Sequence, residues 1–266
     1  MDLGLRDRAC IVTGASRGIG RATAVALAHE AAAVLLVGRS RESLEEVARE
    51  CSRAGRGRAE PLALDVTAPD AGERVRDACR ERFGRLDALI NNAGASAVRS
   101  LEELTDEEWQ EQWDLHVMAP MRLMRACAPA MAERGWGRIV NVSSSSGKRP
   151  SATNAAYSVT KAAELSLSRV FADAYASKGV LVNAITPGPV AGDLWLSPGG
   201  LADQNARARG ISRDEVLEAA ASRVPLGRLA EEREIAAVIV FLCSEAASNV
   251  AGAAWSVDGG SVPLIV

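Results

Sequence analysis

Seven short apolar runs, rich in β-branched residues, recur along the chain at 10–13, 33–37, 61–65, 86–90, 138–143, 180–185 and 254–257. They do not alternate with polar residues, as half-exposed strands would. Continuous apolar strands are those covered on both faces. Between them lie amphipathic stretches of helical length at 20–30, 41–54, 70–83, 106–133, 155–177 and 231–244. A strand, a helix and a parallel strand connect with right-handed crossover. Repetition of that unit predicts an α/β fold: a doubly wound, parallel, seven-stranded sheet of Rossmann type. No linker or repeat divides the chain, so residues 1–266 are read as one domain, with an irregular insertion at 189–226.

Composition narrows the function classes. Lys and Arg number 31 against 34 Asp and Glu, a formal net charge of −3. Without a basic excess there is nothing to draw nucleic-acid phosphates or a membrane surface. Apolar residues make up 48% and charged residues 24%, which excludes a disordered or fibrous chain. Cys10, Cys51, Cys79, Cys127 and Cys243 are scattered with no CxxC pair, and His29 and His116 are the only histidines. No metal cluster is expected from such a set, and the cysteines read as reduced thiols. The longest apolar run, 235–243, is far short of the ~20 residues that span a bilayer. The N-terminal residues carry charges rather than an apolar signal core. These features predict a cytoplasmic protein.

The turn after the first strand, Thr13 to Gly20, carries glycines at 14, 18 and 20 and opens the first helix. Glycines there let backbone N–H groups approach a pyrophosphate, which the helix N-terminus favours electrostatically. Gly14, Ser16, Arg17, Gly18, Ile19 and Gly20 are therefore candidate dinucleotide-binding residues. The same residues spell G-x-S-x-G, the nucleophile elbow of a serine hydrolase with Ser16 as nucleophile. That reading fails on position, because the elbow needs several strands laid down before it and a suitable downstream His. At the end of the second strand an NAD-binding fold usually places an acid for the ribose 2′-OH. Here Val37-Gly38-Arg39-Ser40 has none before Glu42. Arg39, with Arg17, can pair with a 2′-phosphate that an acid would repel. The cofactor expectation is NADP(H), with NAD(H) as the alternative.

The chain has two Tyr and three Lys, and one of each forms Tyr157-x-x-x-Lys161. At i,i+4 on a helix both side chains share a face. An ammonium there favours phenolate and lowers the Tyr pKa, bringing it toward general acid–base work at neutral pH.

Thr13–Gly20, Asn91-Asn92-Ala93-Gly94, the serines before Tyr157 and Lys161, Asn183 to Pro187-Gly188, and Asp258-Gly259-Gly260 occur in that order. Together they resemble the short-chain dehydrogenase/reductase family over about residues 5–262. Within it the chain is similar to 3-oxoacyl-acyl-carrier-protein reductases. The resemblance implies an oxidoreductase that interconverts a ketone and a secondary alcohol by hydride transfer. It implies that Tyr157 is the general acid/base and that Lys161 holds the nicotinamide ribose and lowers the Tyr pKa. The family's Ser, thirteen residues before Tyr, falls on Ser144, with Ser145 the alternative register. Asn92, Ala93 and Gly94 would border the adenosine ribose, and Asp65 and Val66 the adenine. Pro187, Gly188 and Val190 would face the carboxamide.

Two positions depart from the family's pattern. His116 stands where an Asn helps hold a water that joins Lys to solvent. Its imidazole can take that part or simply pack in the structure. Gly192 stands where a Thr commonly bonds the carboxamide. The resemblance further implies a homotetramer or homodimer, with helices such as 106–133 and 155–177 packing across subunits. The insertion at 189–226, with Trp195, would act as a substrate lid. Arg134 and Lys178 can meet an acidic acyl-carrier protein or stand as solvated helix ends. The rival of a different class is a non-catalytic dinucleotide sensor.

Overall fold

The computed structural model describes residues 2–55 and 57–263. Its strands are β1 (Ala9–Thr13), β2 (Ala33–Gly38), β3 (Ala59–Ala63), β4 (Ala88–Asn91), β5 (Gly137–Val142), β6 (Val180–Pro187) and β7 (Ala254–Val257). They form one parallel sheet in the order β3-β2-β1-β4-β5-β6-β7. The expected seven-stranded Rossmann-type fold is present. Chain direction across the sheet reverses between β1 and β4, and the ends of these strands frame a crevice there.

The first strand shows why the apolar runs do not alternate. Cys10 and Val12 point into one core, and Ala9 and Ile11 into the other. The first core is closed by α1 (Gly18–His29), α2 (Arg41–Ala54) and a later helix, α11 (Glu232–Leu242). The second is closed by α3 (Ala71–Phe83), α5 (Ala119–Ala132) and α7 (Ala155–Tyr175). Ile11, Leu35 and Leu89 are fully buried, and each contributes about 1.5–3 kcal/mol through apolar area removed from water.

The stretch read as one helix, 106–133, is broken. It consists of α4 (Asp106–Trp113), a π-helical turn (Asp114–Met118) and α5. Ala119 N–H donates to the Asp114 carbonyl, five residues back. Pro120 has no N–H to give the His116 carbonyl, so the α ladder cannot run through this point. Strand β3 also ends earlier than expected, at Ala63, so Asp65 and Val66 lie in the loop beyond it. Between β5 and α7 sits the short α6 (Ser145–Lys148). The insertion is more ordered than its sequence suggested, with α8 (Asp193–Leu196), α9 (Leu201–Arg209) and α10 (Arg213–Ser222). Ser212 and Glu215 form a capping box that starts α10.

Candidate active site

A cleft of about 830 Å³ opens at the C-terminal ends of β1, β2, β4, β5 and β6. All the sequence-predicted dinucleotide residues line it except Gly20, and so does Ser144. Gly14 and Gly18 adopt φ of +63° and +60°, a region that side chains other than Gly rarely occupy. A Cβ on Gly14 would also lie 2.9 Å from the Ala93 backbone. Gly20 acts by packing instead: a Cβ there would collide with the Gly14 carbonyl and the Asn92 amide. Helix α1 begins without a side-chain cap, so its first N–H groups are free to meet an anion.

Sequence reasoning missed the residue that joins the two motifs. Thr13 Oγ1 accepts the Asn92 and Ala93 N–H groups at 2.9 and 3.1 Å. Asn92 Nδ2 returns donors to the Thr13 and Gly14 carbonyls at 2.9 and 3.3 Å. The β4 end is thus stapled to the glycine turn, and the Asn92 amide serves that staple. Farther along, exposed Arg17 and Arg39 line the cleft and make no ion pair among the described residues. Asp65 is turned to Thr67, accepting from its N–H and hydroxyl at 2.9 and 2.8 Å. Those bonds hold its carboxyl below the usual range, and Arg39 adds to the effect.

The serines divide by role. Ser143 Oγ donates to the Lys161 carbonyl at 2.8 Å and so ties the end of β5 to α7. Ser144 Oγ accepts the Ser146 N–H at 3.1 Å, capping α6, and lines the cleft; Ser145 lines it too. Tyr157 and Lys161 stand one turn apart on α7, with the ammonium 5.9 Å from the Tyr ring centroid. Lys161 Nζ donates to the Val142 carbonyl at 2.8 Å and to Glu164 Oε2 at 2.9 Å. Both ends of this ion pair are almost fully buried. Burial pushes Glu164 up to about 7, against the opposing pull of Lys161. The sequence signal for Glu164 was an acid one turn beyond Lys161, on the same helix face as Tyr157.

His116 does not line the cleft; it is buried behind Tyr157, on the π turn. Ala95 N–H donates to its Nε2 at 3.2 Å, so that nitrogen carries no proton. Nδ1 then bears the hydrogen and donates to Thr160 Oγ1 at 3.1 Å, while the Thr160 hydroxyl donates to the Tyr157 carbonyl at 3.0 Å. Burial, reinforced by the Lys161 charge, holds its pKa well below the ordinary value. With both ring nitrogens engaged by protein, neither is left for a water. At the other departure, Glu232 occupies the space a side chain at Gly192 would need. Burial and the charge of Asp193 raise the Glu232 pKa.

The sequence profile of the short chain dehydrogenase family matches residues 8–197. The chain belongs to that family. A cis-4-hydroxycyclohexanecarboxylate dehydrogenase of Sinomonas cyclohexanicum is 38% identical over 255 residues, covering 96% of this chain and 96% of its own. The 3-oxoacyl-acyl-carrier-protein reductase FabG of Vibrio cholerae is 33% identical over 258 residues, covering 97% and 98%. The crystal structure of L-sorbose reductase from Gluconobacter frateurii, complexed with NADPH and L-sorbose, matches with a TM-score of 0.92 at 35% identity, covering 100% of both chains. This short-chain dehydrogenase is accordingly an oxidoreductase of the class that acts on CH–OH groups with NAD(P). Its cleft, glycine turn and Tyr157–Lys161 helix meet at the end of the sheet where doubly wound folds receive ligands.

Proposed function

We propose that the protein interconverts a ketone and a secondary alcohol with NADP(H). One observation carries the reading. Tyr157 faces the cleft beside a Lys161 ammonium fixed at two points, the Val142 carbonyl and Glu164. In reduction the Tyr157 O–H gives its proton to the substrate oxygen, and the positive neighbour stabilises the phenolate left behind. Ser144 donates a hydrogen bond to the same oxygen as negative charge develops on it. The nicotinamide, when bound, supplies or accepts the hydride. Lys161 keeps one N–H for the ribose hydroxyls, since two are already directed into protein. His116 and Thr160 position Tyr157 from behind.

The cleft fits a dinucleotide: a positive-φ glycine turn, an uncapped α1 and two arginines without ion-pair partners among the described residues. Arg17 and Arg39 would hold a 2′-phosphate, and the NADPH bound by the related L-sorbose reductase supports this choice. The segment 189–226 would cover the substrate, with Leu194, Trp195 and Leu201 already at the cleft wall.

A homodimer or homotetramer is part of the same reading. Helices α4 and α7 leave Trp113 40%, Val159 47% and Val170 61% exposed, apolar surface that a second copy would cover. Among the described residues no helix is long and apolar enough to cross a membrane. Five unpaired thiols support a cytoplasmic setting. The test is NADPH oxidation against a panel of ketones by wild type and Tyr157→Phe. Turnover is expected in the wild type and a loss of at least ~100-fold in the variant; equal rates overturn the proposal.

A further inference from the structure

We propose that Glu164 is a positioning residue for the reaction: its buried carboxylate anchors the Lys161 ammonium and tempers the charge that Tyr157 feels. The inference rests on the reading of Tyr157 as the acid/base. It starts from a geometric fact. Lys161 and Glu164 are 2.9 Å apart with side chains only 4% and 3% exposed, so neither charge has bulk water to solvate it. The Val142 carbonyl holds a second N–H of the same ammonium from β5. These two acceptors leave Lys161 little freedom to swing away from Tyr157.

The pair can hold two charge states. When Glu164 carries a proton, the pair is net positive and the full ammonium charge favours phenolate at Tyr157. When Glu164 is ionised, the pair is neutral and that help weakens. Burial, which places the Glu164 titration near 7, makes both states accessible. Of the charged groups on surrounding elements, Glu111 on α4 and Asp114 on the π turn line the same cleft as Tyr157 and are common to every variant compared. From the π turn, His116 is held neutral. On β5 the nearby groups are the Val142 carbonyl and neutral Asn141, which donates to Ser168, and Arg138 is engaged by the Gly137 and Ser244 carbonyls. Strand β6 has no ionisable side chain. The α6 backbone at Gly147 packs on the backbone at Lys161, while Lys148 is tied to Ala254 and Ser256. On α4, Glu108 pairs with Arg99, and on α5, Arg122 donates to the Thr67 carbonyl.

The test reads Tyr157 directly. Phenolate ultraviolet absorbance is titrated in full-length wild type, Glu164→Gln and Glu164→Asp, each with its Tyr157→Phe counterpart subtracted to remove Tyr175. Thermal melts verify folding. In Glu164→Gln the Tyr157 midpoint is expected to fall by about one pH unit, the scale of losing one nearby charge at an effective dielectric of ~20. Glu164→Asp, which keeps the charge, is expected to stay near wild type. A midpoint unmoved in Glu164→Gln, or moved equally in both variants, overturns the proposal. Should Glu164→Gln not fold, Glu164→Ser, neutral and small, is titrated in its place: a lowered Tyr157 midpoint supports the proposal, and an unmoved one overturns it. The ketone assay with Tyr157→Phe tests the underlying reading separately, so the two can fail independently.

Discussion

The His116 ring meets the Tyr157 ring edge-on, with centroids 5.2 Å apart and planes at 85°. A helix irregularity places it there: the π turn at Asp114–Met118 puts one ring nitrogen under Ala95 and the other against Thr160. Tyr157, the proposed acid/base, is thus braced by a neutral imidazole.

That neutrality has a pH consequence. In the unfolded chain the imidazole takes up a proton near its ordinary value of about 6.5. In the folded chain it does so only at a much lower pH. Below about 6.5 the unfolded state binds the extra proton, so stability falls as pH falls. Denaturant unfolding at a series of pH values should show this loss in the wild type. His116→Asn should show a shallower dependence, and identical slopes would remove His116 as the cause.

The serine register predicts an asymmetry. Ser144→Ala should lower kcat by roughly 100-fold with little change in KM for NADPH, because it removes a donor to the developing oxyanion. Ser145→Ala should stay within a few-fold of wild type. The reverse pattern would move the role to Ser145.

Arg39 stands exposed at the cleft without an ion-pair partner among the described residues. Arg39→Ala should raise the KM for NADPH roughly tenfold, the scale of one charge-assisted contact, and leave that for NADH unchanged. Steady-state kinetics with both cofactors measure the ratio. An unchanged ratio counts against a 2′-phosphate site at Arg39.

Gly20 packs where a methyl group would strike the Gly14 carbonyl and the Asn92 amide. Gly20→Ala should cost about 1–3 kcal/mol of stability and weaken dinucleotide binding, since the turn must open. Thermal melts with and without NADPH give both quantities. A wild-type Tm and an undiminished NADPH-induced shift would contradict the packing argument.

All five cysteines are buried. Burial pushes Cys51 up to about 11 and Cys79 and Cys243 to about 12, with Cys10 and Cys127 also raised. A thiol is reactive only as thiolate. The native protein should therefore resist a thiol reagent at neutral pH and react at all five positions once unfolded. Rapid native labelling of any one would show that the segment carrying it opens readily.

Much of this architecture was legible in the chain because its rules are local. Residues 10–13 read as a covered strand since Cys10 and Val12 serve one core and Ile11 the other. The glycines at 14 and 18 announced a turn that needs positive φ, and the Tyr157–Lys161 spacing placed both on one helix face. Reading failed where a single residue overrode the pattern around it. The stretch 106–133 has helical periodicity throughout, but Pro120 interrupts its ladder and the chain resolves the break as a π turn. Asp65 was read as a strand end and lies past it, its carboxylate held by Thr67.

Sequence alone therefore determined the sheet, the phosphate-turn chemistry and the pairing of a phenol with an ammonium, because periodicity and short spacings act within a few residues. Tertiary structure decided the environment of that pair. Glu164 became its buried counter-charge and His116 its neutral brace only once α7, β5 and the π turn came together. Burial and hydrogen-bond partners, which set charge state, are properties of the packed chain and not of its spacing.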